Sequence, residues 1–309
     1  MSRLRFLLGV KTDPIEYRYS YEWLFQLMAE EGAHFAQLGT FFELYSLPDA
    51  YFLDLRETAE RCGVRISSVF TAHRELGGFM RPEIGWQATA RRNYERLIDV
   101  AALLGADAVG SSPGSVLRDG MFFKDDAIQM YMVHMKELMQ YAHEKGVGWL
   151  TIEPMSCLAE PPTLPLEITS MMHDLEEFWR SHVNSSSRVG LCVDVAHGYA
   201  DRNRQVVFDS AELIDVGVPF IREIHLKNTD EAFDATFGFG PDDRARGTVD
   251  VSAVKAYLQG RASELLVDDL VGYLEIGGPK TGRDYSDEKL EESLRQSLRY
   301  LAKAWSTAD

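Results

Sequence analysis

Short apolar runs alternate with longer amphipathic ones along the whole chain. Residues 4–10, 35–38, 64–70, 108–110, 147–153, 189–194, 220–226 and 271–276 are mostly apolar and bounded by turn residues. That is the pattern of parallel strands buried on both faces. Between them lie stretches of helical periodicity, one starting at 21 and others at 49–61, 86–104, 125–145, 165–182, 208–216, 252–259 and 286–305. Ser20 is placed to cap the first helix, and Gly63, Gly105, Gly146 and Gly260 follow helix ends, where glycine is favoured. Ser286, Asp287 and Glu288 give the last helix an acidic first turn. Eight strands alternating with eight helices predict an α/β fold, a closed (β/α)8 TIM barrel formed as one domain over residues 1–309. No Gly-x-Gly-x-x-Gly follows the first strand, which counts against a dinucleotide-binding open sheet. The longest irregular stretch, 227–250, leaves the end of strand seven and reads either as a substrate lid or as a long surface loop.

Four of the strand-like runs end on a residue able to ligate a divalent metal. They are Leu150-Thr151-Ile152-Glu153-Pro154, Leu191-Cys192-Val193-Asp194, Arg222-Glu223-Ile224-His225 and Gly272-Tyr273-Leu274-Glu275. Taken singly, each reads more readily as a capping or solvated polar group at a strand end. In a barrel, however, strand C-termini converge on one mouth, where catalytic groups sit. Two Glu, one Asp and one His there form an oxygen-rich set suited to one divalent ion, Mn²⁺ or Mg²⁺ first and Co²⁺ or Zn²⁺ after them.

Charge narrows the function classes. Lys plus Arg number 32 and Asp plus Glu 48, a net of −16 among 309 residues. Nucleic-acid phosphates demand a basic surface, so a nucleic-acid partner is not expected. No apolar run reaches the roughly 18 residues of a membrane helix. Cys62, Cys157 and Cys192 fit neither a disulfide framework nor a zinc motif. The chain enters its first strand at once, without the pattern of a signal peptide. A cytoplasmic protein is expected, with an assembly of identical subunits left open.

The segments Ile152-Glu153-Pro154, Asp194-Val195-Ala196-His197, Ile224-His225-Leu226-Lys227-Asn228 and Leu274-Glu275 resemble the xylose-isomerase-like superfamily. It includes ketose 3-epimerases, sugar isomerases, inosose dehydratases and the endonuclease IV group. The resemblance to the ketose 3-epimerases implies that Glu153, Asp194, His225 and Glu275 bind one metal. It also implies that Glu153 and Glu275 are the acid/base pair on opposite faces of the substrate. The chemistry is coherent, because a metal that polarises a carbonyl acidifies the neighbouring C–H and stabilises the enediolate. His197 matches a family histidine that contacts substrate; a structural loop histidine is the alternative. The family arginine six residues beyond the metal-binding His is Glu231 here. Lys227, on the same strand face as His225 by the period of two, is a candidate replacement or simply a solvated lysine.

Several other residues are candidate substrate contacts. His73 follows strand three where the endonuclease IV group has a metal ligand. That group also needs a His after strand four and an Asp-x-His after strand seven. This chain has Gly110-Ser111-Ser112 and Asp242-Asp243-Arg244 at the corresponding places, so a trinuclear zinc site is incomplete. Lys280 and Arg283 lie in the loop Gly277-Gly278-Pro279-Lys280-Thr281-Gly282-Arg283, which reads as a phosphate-binding loop or as a plain turn. Lys11, just beyond strand one, is a further candidate cation. Together these readings imply an isomerase or epimerase of a small ketose or ketose phosphate that works through a metal-stabilised enediolate. The alternatives are a dehydratase using the same metal, a phosphodiesterase of the endonuclease IV kind, and a binding protein on the same scaffold.

Overall fold

The structure of the protein, a computed structural model, describes residues 4–15, 17–39, 41–71, 76–278 and 283–307. Eight parallel strands close into a barrel: β1 (Arg5–Lys11), β2 (Phe35–Gly39), β3 (Arg65–Thr71), β4 (Ala108–Ser111), β5 (Trp149–Ile152), β6 (Arg188–Asp194), β7 (Ile221–Leu226) and β8 (Asp269–Leu274). Each strand pairs with its sequence neighbours, and β8 closes on β1 through the register Arg5 with Asp269 to Val10 with Leu274. The outer helices are α1 (Tyr21–Glu30), α2 (Asp49–Arg61), α3 (Ile84–Leu104), α4 (Lys124–Glu144), α5 (Pro165–Ser181), α6 (Ser210–Gly217), α7 (Val251–Gly260) and α8 (Asp284–Ala304). The barrel is the one that the alternation of apolar runs predicts.

Alternate residues of each strand face the helices or the barrel axis. Leu38, Val69, Val109, Leu150, Leu191, Ile224 and Leu274 are fully buried on the helix-facing side. The axis-facing layer is polar where barrels usually carry branched apolar residues. Gln37 Nε2 donates to Ser68 Oγ at 3.2 Å, and Ser68 Oγ and Thr151 Oγ1 both donate to Glu223 Oε1, at 3.2 and 2.8 Å. Space for this layer comes partly from Gly110. A Cβ there would lie 2.2 Å from Thr151 Oγ1 and 2.4 Å from the Phe70 ring.

Two departures from the sequence reading have local causes. Helix α6 starts at Ser210, not 208, because Val206–Phe208 pairs with Tyr199–Ala200 in a small antiparallel hairpin. Asp209 then caps the helix through Glu212 N, and Glu212 returns the bond to Asp209 N. Helix α8 starts two residues early, at Asp284, which adds a second acid to the favourable end of its dipole. The stretch after β7 is largely anchored. Asn228 and Phe237 exchange backbone hydrogen bonds, Phe239 N donates to Ser297 Oγ of α8, and Pro241–Arg246 forms a short helix. The exposed residues before Phe237 are Glu231, Asp234 and Thr236.

Trp305 locks the final helix to the barrel. It is fully buried, meets Phe6 edge to face at 4.8 Å, and its Nε1 donates to Leu7 O at 2.9 Å. Trp305→Ala should lower unfolding free energy by about 3–5 kcal/mol in denaturant titration. A loss below about 1 kcal/mol would show that the closing helix is not held by this side chain.

Candidate active site

The strand ends bring the four candidate ligands to one point. Asp194 and His225 lie level on β6 and β7, paired in register. Glu153 follows β5, its N–H donating to Ser111 O, and Glu275 follows β8, its N–H donating to Leu226 O. Ligand atoms of Glu153, Asp194, His225 and Glu275 all fall within 4.8 Å of one another. Oxygen ligands at 2.0–2.6 Å across a shared ion are separated by up to about 5 Å, so the set has the right span.

Hydrogen bonding fixes which nitrogen of His225 faces the cluster. Its Nε2 lies 2.7 Å from Gln37 Oε1, an acceptor, so Nε2 carries the proton. Its Nδ1 lies 2.9 Å from Glu153 Oε1 and 3.0 Å from Glu275 Oε2. A bare lone pair against two carboxylates is repulsive, so that point calls for positive charge: a second proton on His225, or a metal ion. This donor set, three carboxylates and an imidazole nitrogen aimed inward, fits a divalent metal.

Two lysines complete the electrostatics. Lys227 Nζ is 2.6 Å from Asp194 Oδ2 and 3.0 Å from His197 Nε2. Lys11 Nζ is 3.1 Å from Glu275 Oε1 and 3.4 Å from Asp13 Oδ2, and it stands over the Phe70 ring. Both lysines are buried. Burial works against their charge, but Asp194, Glu275 and Glu153 around Lys227, and Asp13, Glu275 and Glu153 around Lys11, overcome it and hold both above the usual lysine range. The same pairs act in reverse on the acids. Burial disfavours the Glu275 anion, yet Lys11, His225 and Lys227 hold it well below the usual carboxylate range. Asp194 is also lowered, by His197 and Lys227 against burial. Burial likewise opposes a charged His225, and the carboxylates of Glu275 and Glu153 still raise it well above the ordinary histidine value.

His197 is tied into the same group. Its Nδ1 donates to Pro154 O at 2.8 Å, which leaves Nε2 to accept from Lys227. Of the remaining candidates, Arg283 is exposed at the N-terminus of α8, where its Nη1 donates to Tyr285 at 3.0 Å. His73 and Lys280 fall outside the described residues. The sequence reading passed over Gln37, Asp13 and Glu223. Gln37 carries a signal, as the polar side chain in the apolar run Phe35-Ala36-Gln37-Leu38. Glu223 carries another, two residues before His225 and so on the same face.

Residues 25–260 match the family model of the xylose isomerase-like TIM barrel. The chain belongs to that family. A Rhodospirillum rubrum protein provisionally named a xylose isomerase superposes with a TM-score of 0.79 at 20% identity, over 97% of this chain and 99% of that one. D-psicose 3-epimerase from Clostridium cellulolyticum, solved with D-tagatose, gives 0.71 at 14% identity, over 97% and 100%. A Mycobacterium smegmatis barrel solved in complex with magnesium gives 0.61 at 14%, over 96% and 97%. At such identities the likeness shows the fold. No curated protein sequence matches the chain significantly. No helix among the described residues is long and apolar enough to cross a membrane.

A proton on His225 Nδ1 and a metal compete for one position. The raised histidine stabilises the metal-free fold fully below pH 6.5, and that contribution fades as pH rises through the folded value. Below that folded value, therefore, metal binding should release about one proton, and affinity should rise roughly tenfold per pH unit up to it. Calorimetry in buffers of different ionisation enthalpy reads the proton directly. Metal affinity independent of pH in that window would contradict the arrangement.

Proposed function

We propose that this protein is a metal-dependent isomerase or epimerase of a small ketose, with Glu153 and Glu275 as the proton-transferring residues. One observation carries the reading: two carboxylates from strands on either side of the β6–β7 pair face a single point shared with Asp194 and His225. Family membership and the overlap with a D-psicose 3-epimerase support it.

Glu153, Asp194, His225 and Glu275 would hold a divalent ion, which would supply positive charge at a substrate carbonyl and so acidify the adjacent C–H. Mn²⁺ suits this mostly carboxylate set, as does Mg²⁺. Glu275, kept ionised beside Lys11, takes the proton from the carbon in one direction of the reaction. Glu153, entering from the opposite side, passes a proton drawn from solvent to the other face, so configuration at that carbon inverts. Glu275 then returns its proton to solvent, and both residues are carboxylates again. Lys227 and His197 stand beside Asp194, where the ammonium donates to a substrate hydroxyl or to the developing oxyanion.

The phosphorylated form of the substrate has weaker support. Lys227 is already engaged by Asp194 and His197, and Arg283 is turned to Tyr285. The free ketose is the substrate class that the site's charges favour.

A panel of C4 to C6 ketoses and their phosphates, with and without Mn²⁺, tests this reading. Turnover is expected with Mn²⁺ and not after chelation. In D₂O the product should carry deuterium at the inverted carbon. Glu153→Gln and Glu275→Gln should each lower kcat at least 10³-fold while the circular-dichroism spectrum at ambient temperature stays that of the folded parent. Full turnover without deuterium incorporation would replace proton transfer by hydride shift, and turnover in the chelated enzyme would remove the metal from the account.

A further inference from the structure

Near the metal-ligand cluster lies a cavity of about 250 Å³, between the loops that follow β1 and β2. It is the size class of a single small ring rather than of a chain. The residues that line it include Tyr17, Tyr21, Phe41 and Tyr51 and the acids Asp13 and Glu43. The rings are tilted around the space: Tyr21 and Phe41 stand 6.3 Å apart, and Phe41 and Tyr51 6.5 Å. One ammonium separates this cavity from the candidate catalytic groups, because Lys11 Nζ touches Asp13 on one side and Glu275 on the other. Gly39 makes the junction open enough for Asp13, whose carboxyl carbon would lie 2.5 Å from any Cβ there.

We infer that this cavity is a subsite for a neutral, hydroxyl-bearing sugar ring carried on the far end of the ketose. The proposal rests on the reading of the four-ligand cluster as the ketose site. Aromatic faces bury the C–H faces of a sugar ring. Ionised carboxylates only accept hydrogen bonds, and neighbouring hydroxyls are the donors that match them. No lysine or arginine is among the described residues lining the cavity, and Lys11 behind Asp13 is already shared between Asp13 and Glu275, so a phosphate placed there would face the two acids. Tyr17 adds a device that a simple packing defect lacks. It is 62% exposed, holds a left-handed backbone at φ 56°, and donates from its hydroxyl to Glu43 Oε2 at 2.7 Å. A bulky residue adopts that conformation at a cost, and such strain gathers where a ligand is clamped. Tyr17 thus spans the cavity rim between its two loops. The preferred substrate becomes a glycosyl ketose, larger than a free monosaccharide.

Calorimetry on the Mn²⁺-loaded protein with fructose, isomaltulose and fructose 6-phosphate tests this. Isomaltulose is a fructose that bears a glucosyl unit on its far hydroxyl. It should bind at least tenfold tighter than fructose, and Glu43→Gln and Tyr17→Gly should each remove most of that advantage while fructose binding stays within twofold. Both positions are exposed, and glycine accepts the left-handed backbone at 17 without strain, so both variants should keep the parent's melting temperature. Equal binding of fructose and isomaltulose, or a larger gain for fructose 6-phosphate, would overturn the proposal. If none of the three binds, the ketose reading fails, and saturation-transfer NMR with methyl β-glucoside decides the subsite alone. Transfer from tyrosine protons that is lost in Glu43→Gln would sustain the subsite, and no transfer would overturn it.

Discussion

Three carboxylates pointing at one buried spot would repel each other apart unless positive charge is built in beside them. That constraint organises the mouth of this barrel. Removing charged groups from water costs several kcal/mol each, and like charges at close range add to the cost. Lys227 answers Asp194 and Lys11 answers Glu275, each lysine being itself buried. The inward nitrogen of His225 is left between Glu153 and Glu275, where only a proton or a cation satisfies the geometry. The lysines hold Asp194 and Glu275 ionised, and a divalent ion is the proposed completion of the balance.

The scaffold makes that concentration of charge tolerable by fixing it on rigid elements. Ligands at the ends of β5, β6, β7 and β8 inherit their positions from a closed hydrogen-bonded ladder rather than from loops. The connection also runs downward into the barrel. His225 donates to Gln37, Gln37 donates to Ser68, and Ser68 and Thr151 donate to Glu223. The imidazole is therefore oriented by a chain of buried polar groups, the kind of support that holds metal ligands in one tautomer. Glycine at 110 and small hydroxyl residues on β3 and β5 leave room for that chain where larger apolar residues would fill the axis.

Much of this was legible in the chain. The eight apolar runs and the four chemically able residues at their ends follow from periodicity, because a parallel strand shows its burial along its whole length and its function only at its last residue. Boundaries such as the start of α6 were not legible, since the capping exchange of Asp209 with Glu212 competes with an apolar pattern that continues upstream into a hairpin. The partners of the ligands were harder to see. Lys11, itself paired with Asp13, meets Glu275 from the opposite end of the sequence across the β1–β8 seam, and Gln37 reaches His225 across the barrel interior. Single-sequence patterns carry no record of such distant pairings. The aromatic cavity was invisible for the same reason, being assembled from the loops after two different strands.

The central claim is that one divalent ion sits among Glu153, Asp194, His225 and Glu275. Diffraction from Mn²⁺-soaked crystals, recorded at the manganese absorption edge, tests it most directly. The account predicts one strong anomalous peak at the mouth of the barrel, roughly 2.0–2.6 Å from an oxygen of each of the three acids and about as close to His225 Nδ1. A cluster without a peak, with Lys11 and Lys227 still bridging its acids, would contradict it, as would a peak bound by His225 through Nε2.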